Sequence, residues 1–182
     1  LWWHYRGTDG DAALDADPPI KWVFFTSHET RTGLKNPFEA TGRACKQRGV
    51  LVGADAISSA YAYPIDIEAS QIDLVTASSA KAIMAAPGLA ITFVRRASIA
   101  KIKSAGAPRG YYFDVIAETE RQIKDQQTRF AQPVVLHAAL RAACTHLLEV
   151  GITNHMARIQ RQMQMLIDAL GGGRHRGDLD AH

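Results

Sequence analysis

Hydrophobic positions fall into short continuous runs in the first half of the chain and into long helical stripes in the second. Lys21-Trp22-Val23-Phe24-Phe25-Thr26 is apolar and rich in β-branched and aromatic residues. With prolines before it and a polar loop after it, it reads as a buried strand. Pro37 suits the first turn of a helix, with Phe38, Ala44 and Cys45 on one face and Gly49 as its stop. Three more strands are predicted at Val50–Ala54, Ile72–Thr76 and Leu89–Val94, the second strand running into Asp55. Strand, helix, strand, then further strands with short links is the α/β pattern. Continuous apolar runs predict a largely parallel sheet with both faces covered.

Beyond Arg95 the period becomes helical. Short helices are predicted at Asp11–Asp17 and Ser98–Ser104, and an exposed one at Glu118–Gln127. Val134–Val150 is strongly apolar and ends at Gly151. Ile152, Met156, Ile159, Met163, Leu166 and Leu170 follow at helical spacing, a stripe expected to pack in the core. These patterns divide the chain into an irregular start (1–20), an α/β portion (21–105), a helical segment (106–170) and an unstructured tail (171–182).

Composition narrows the class. Of 182 residues, 47% are hydrophobic and 21% charged, which excludes wholesale disorder. No apolar run reaches membrane-spanning length, and the opening Leu1-Trp2-Trp3-His4 lacks the order of a secretory signal. Cys45 and Cys144 are expected to be reduced core thiols in a cytoplasmic protein. A net charge of +3 with dispersed basic residues argues against nucleic-acid binding. The seven histidines offer no metal-ligand spacing.

Ligands of open α/β sheets sit beyond the carboxyl ends of the strands. Three segments land there: His28-Glu29-Thr30-Arg31-Thr32-Gly33, Asp55-Ala56-Ile57-Ser58-Ser59 and Ser78-Ser79-Ala80-Lys81. Small and apolar neighbours on both sides of Lys81 predict a partly desolvated amine, and hence a nucleophile. Asp55 needs a cationic or N–H partner. Pyridoxal phosphate unites the two. Its aldehyde bonds a lysine, and its pyridinium nitrogen takes a carboxylate.

The ordered set of these motifs, with Asn36-Pro37, Pro64-Ile65-Asp66, Ile72-Asp73 and Pro87-Gly88 between and after them, resembles the class V pyridoxal-phosphate aminotransferases. The nearest likeness is to the branch of alanine–glyoxylate, serine–pyruvate and 2-aminoethylphosphonate–pyruvate aminotransferases. Lys81 lies 26 positions after Asp55, as in that pattern. The resemblance implies part of the large domain of a fold-type I enzyme, a mostly parallel sheet with helices, followed by helices leading to the small domain. It implies that Lys81 forms the Schiff base and moves the proton between the substrate α-carbon and the cofactor. Asp55 would sit under the pyridine nitrogen and Ile57 on one ring face. Thr30 would lie near the phenolic oxygen and Ser79 at the phosphate. His28, Glu29 and Gly33 would shape the loop.

The implied reaction transfers an amino group from alanine, serine or 2-aminoethylphosphonate to pyruvate or glyoxylate, in a homodimer. A phosphonate donor would call on cations such as Arg31 and Arg109. A desulfurase or lyase relative and an inactive remnant are the alternatives. The family's early phosphate loop, its early ring-covering residue and its late substrate-binding arginine have no counterpart here, and Ala131 stands where a threonine is common. Trp2, Trp3 and His4 lie at the wrong distance from the first strand. The chain is therefore expected to be the central and following part of such an enzyme, with an apolar sheet edge left open.

Overall fold

A computed structural model describes residues 12–15, 19–104 and 110–170. The irregular start, part of the Asp11–Asp17 helix, the 171–182 tail and Arg109 lie outside the described residues, as do Trp2, Trp3 and His4.

Four strands form one sheet in sequence order: β1 (Trp22–Thr26), β2 (Leu51–Asp55), β3 (Leu74–Ser78) and β4 (Ala90–Val94). The first three are parallel, and β4 is antiparallel to β3. Helix α1 (Phe38–Gln47) links β1 to β2, and the single turn α2 (Ile67–Ser70) lies between β2 and β3. A short 3₁₀ turn at Arg96–Ser98 leads into α3 (Ile99–Ser104). Then come α4 (Val115–Asp125), α5 (Val134–Val150) and α6 (Ile152–Ala169).

The architecture is the expected α/β one. The third strand begins two residues later than its apolar run. Ile72 and Asp73 are both fully buried just before it. Asp73 receives the Val52 N–H at 2.8 Å and the Ser98 hydroxyl, with Lys46 at 3.9 Å. Its carboxylate therefore ties the amino end of the sheet to the segment after β4. Asp66 caps α2 by accepting the Ala69 N–H at 2.9 Å, and Asp114 caps α4 through Ala117 at 3.0 Å.

The core lies on one face. Phe38, Ala44 and Cys45 of α1 pack with Phe25, Val52, Ala54 and Val75 of the sheet. Gly42 makes this approach possible, because a side chain there would run into the Ser70 carbonyl and Ile72. Among the described residues the other sheet face is not covered as predicted: Trp22 and Phe24 stay exposed. The connections explain the difference. A right-handed parallel crossover places α1 on one side, α2 packs against α1, and β3 turns back into β4 without a helix.

The second half departs further. Of α5 only Leu147 is fully buried, and of α6 only His155. Met163, Met165, Leu166 and Leu170 are exposed rather than in the core, and so is Cys144. Their periodicity is real, but no layer among the described residues covers it. The two helices meet at Gly151 with a bend of 88°. Among the described residues no single helix is long and apolar enough to cross a membrane.

Candidate active site

Parallel register brings Thr26, Asp55 and Thr76 side by side at the carboxyl ends of β1, β2 and β3. Alternation puts all three on the face opposite α1. Backbone bonds carry the alignment past the strand ends. Ser27 N–H donates to Asp55 O, and Ala56 N–H to Thr76 O, each at 2.8 Å.

Asp55 is half-buried, and its Oδ1 accepts the Ile57 N–H at 2.8 Å. This Asx turn fixes the carboxylate and sets Ile57 beside it. Among the described residues no hydrogen bond engages Oδ2. Thr30 and Ser58 share a hydroxyl hydrogen bond of 3.0 Å, which joins the loop after β1 to the loop after β2. Below it the buried hydroxyls of Ser27 and Ser59 bond to each other. The structure thus assembles Thr30, Asp55 and Ile57 into one rim.

The loop after β1 is held by its own turn. Glu29 N–H donates to Leu34 O and Gly33 N–H to Glu29 O, both at 2.8 Å, with Gly33 at φ 73°. Asn36 Nδ2 donates to Thr26 O at 2.7 Å and closes the loop base. The His28 ring packs on Tyr63 at 5.7 Å, and the Lys35 ammonium sits 4.4 Å over the same phenol. Burial pushes the Tyr63 hydroxyl above the ordinary phenol range, and the Ser59 hydroxyl offsets part of the shift. Arg31 is exposed on this loop, and Ala131 is exposed elsewhere.

Ser79 and Lys81 follow β3. Ser79 is fully buried. Its hydroxyl donates to Ala86 O at 2.7 Å and accepts the Leu89 N–H at 3.4 Å. It therefore pins the loop of residues 79–89. Lys81 sits at the turn of that loop, where Met84 N–H donates to Lys81 O at 2.8 Å. The expected desolvation is absent: Lys81 is exposed, and so is Ala80. Small neighbours in sequence shield an amine only when another layer folds over them, and only Ile83 of this turn is turned inward and buried.

The sequence reading named Asp55, Ile57, Thr30, Ser79 and Lys81 as site residues. The loops that carry Thr30, Asp55 and Ile57 are held by Ser27, Asn36, Ser58, Ser59 and Tyr63, which are not among them. Asn36, Ser58 and Ser59 lie inside the motifs named above, and their spacing from Asp55 and the first strand is the available signal. Tyr63 carried none.

Comparison with known proteins gives this arrangement a context. The model of the class-V aminotransferase family matches residues 9–175. The 2-aminoethylphosphonate–pyruvate transaminase of Burkholderia pseudomallei strain K96243 is 32% identical over 161 residues, covering 88% of this chain and 43% of the relative. An alanine–glyoxylate aminotransferase from Nostoc sp. superposes with a TM-score of 0.84 at 24% identity, over 92% of this chain and 45% of that one. Pyridoxamine–pyruvate aminotransferase from Mesorhizobium loti superposes with a TM-score of 0.75 at 26% identity, over 85% and 40%. The chain spans less than half the length of each of these relatives.

Proposed function

This chain belongs to the class-V aminotransferases, a family of enzymes, and we propose that it serves pyridoxal-phosphate-dependent transfer of an amino group from a small donor to pyruvate or glyoxylate. The observation that carries the reading is the rim itself. A carboxylate fixed at the end of a central parallel strand has one oxygen engaged by backbone and the other open, and an exposed lysine stands beyond the next strand.

The residues present fit the cofactor. Asp55 Oδ2 is placed to accept a hydrogen bond from a protonated ring nitrogen. Ile57, held beside it, offers an apolar surface for a ring face. The Thr30 hydroxyl, steadied by Ser58, can donate to the phenolic oxygen. Ser79 acts on the phosphate side through the loop it pins, since its hydroxyl already serves Ala86 and Leu89. When bound, the cofactor supplies an electron sink for the carbanion at the substrate α-carbon. The Lys81 amine would hold the cofactor through its aldehyde carbon; freed by the incoming donor amine, it would move the proton from the substrate α-carbon to that cofactor carbon, and the reverse with the acceptor.

A carboxylate at this position would favour the protonated form of the ring. An exposed Lys81 lacks the dry surroundings that a base of this kind needs. The open sheet face is where a further layer would have to lie, and a homodimer is the assembly we propose for the working enzyme.

The likeness to the Burkholderia transaminase favours 2-aminoethylphosphonate as donor and pyruvate as acceptor. The test is a half-reaction. The cofactor-loaded protein is mixed with 2-aminoethylphosphonate or with alanine, and the 2-oxo product is measured. Stoichiometric product from the phosphonate, with less from alanine, supports the reading. No product from either donor, with cofactor bound, refutes it. Cys45 is disfavoured as a desulfurase nucleophile, because burial, with the Asp73 charge adding, pushes its thiol up to about 11.

A further inference from the structure

Resting on the reading of Lys81 as the cofactor-bearing amine, we propose that Arg158 on α6, oriented by His155, is a positioning residue that holds the Lys81 turn. Three observations converge on that turn.

First, the turn depends on an uncommon backbone. Met84 closes it through its N–H to Lys81 O at 2.8 Å, and does so at φ 63°. A non-glycine residue keeps that conformation only when its surroundings hold it. Second, the hold comes from α6. Arg158 Nη2 donates to Met84 Sδ at 3.7 Å across 74 residues of sequence, and lies 3.2 Å from His155 Nδ1. A guanidinium has only donors, so Nδ1 must be the accepting nitrogen and the ring proton sits on Nε2. Third, His155 is wholly buried, and Nε2 has no hydrogen-bond partner among the described residues. A residue that only filled space there would be apolar. An imidazole with one nitrogen left unpaired is explained by what the other nitrogen does, which is to aim the guanidinium at the turn.

The far end of the same loop is braced by the neighbouring helix. Gly88, at φ 128°, lies against Leu136 of α5, whose Cδ1 would meet a Cβ there at 2.7 Å and would have to shift. The loop of residues 79–89 is thus held from inside by Ser79 and from outside by α5 and α6. Helices more than 50 residues downstream thereby set where the Lys81 backbone stands.

The test uses the full chain and two exposed positions, so that loss of folding does not decide it. In cofactor-free protein, Arg158→Ala and Met84→Ala should each raise amide hydrogen exchange at Met84 and Ala85 about tenfold, leaving Val52 unchanged. The double variant should exchange no faster than either single one. With pyridoxal phosphate added, borohydride-trapped label at Lys81 should form about tenfold more slowly in Arg158→Ala, and Arg158→Lys should recover part of the rate. Unchanged exchange in both single variants, or additive effects in the double one, overturns the proposal. Altered exchange with no label on Lys81 in any form, the parent included, supports the clamp and overturns the cofactor reading alone.

Discussion

Helix α1 and helices α5 and α6 carry similar sequence signals and meet opposite fates. Ten residues of α1 bury five, Phe38, Thr41, Gly42, Ala44 and Cys45. The 17 residues of α5 bury one and the 18 of α6 bury one. Composition does not explain this, since α5 is the more apolar helix. Neighbours do. The crossover rule lays α1 on a sheet that the same stretch of chain builds, so its stripe finds a surface at once. Among the described residues α5 and α6 pack on each other and reach the Lys81 loop through Leu136 and Arg158. An amphipathic period shows that a helix has a face to bury, not that the described chain supplies the cover.

The sharpest way to break this comparison is to truncate one side chain in each region. Phe38→Ala, which removes a ring tilted against Phe25 at 5.9 Å between centroids, should cost about 4 kcal/mol in urea unfolding. Next comes Gly42→Ala. Helix propensity alone would favour alanine by about 1 kcal/mol. The Ser70 carbonyl and Ile72 occupy the place of its Cβ, so the change should instead destabilise by about 2 kcal/mol. A stabilised Gly42→Ala would show that α1 has slack against α2.

The two cysteines sharpen the contrast at a smaller scale. Burial first, and the Asp73 charge second, raise the Cys45 thiol from 9.0 to about 11, against a lowering pull from Arg48. A thiol raised on folding contributes stability that is complete below pH 9 and is lost as pH climbs toward 11. Denaturation followed against pH should therefore show a decline over that window that Cys45→Ala removes. At pH 8 a thiol reagent should modify exposed Cys144 at once and Cys45 only on unfolding. Smallest of all, Leu148→Ala on α5 should change stability by less than about 0.5 kcal/mol, because that side chain is 71% exposed.

Much of this was legible. The strand runs at Trp22, Leu51 and Ala90, the helix after Pro37 and the breaks at Gly49 and Gly151 all follow from local chemistry. That Asp55 and Lys81 stand at the ends of neighbouring strands was legible too, since each closes or follows an apolar run of its own. Two things were not legible, and each is a matter of long-range neighbours. Ile72 and Asp73 read as strand but serve as a buried knot before it, because Asp73 is claimed by Val52 and Ser98. Lys81 read as desolvated but lies open. Single-sided coverage of the sheet also could not be read from apolar runs, since a strand does not record which layer packs on it.

The central claim is that the rim at the carboxyl ends of β2 and β3 is built for pyridoxal phosphate, with Lys81 as its covalent anchor and Asp55 as its counter-charge. The direct measurement is absorbance on adding pyridoxal phosphate, followed by borohydride reduction and peptide mapping, for the parent chain and for Lys81→Ala and Asp55→Ala. The account predicts label confined to Lys81, none in Lys81→Ala, and binding weakened at least tenfold in Asp55→Ala. Label spread over surface lysines and indifferent to both substitutions would contradict it.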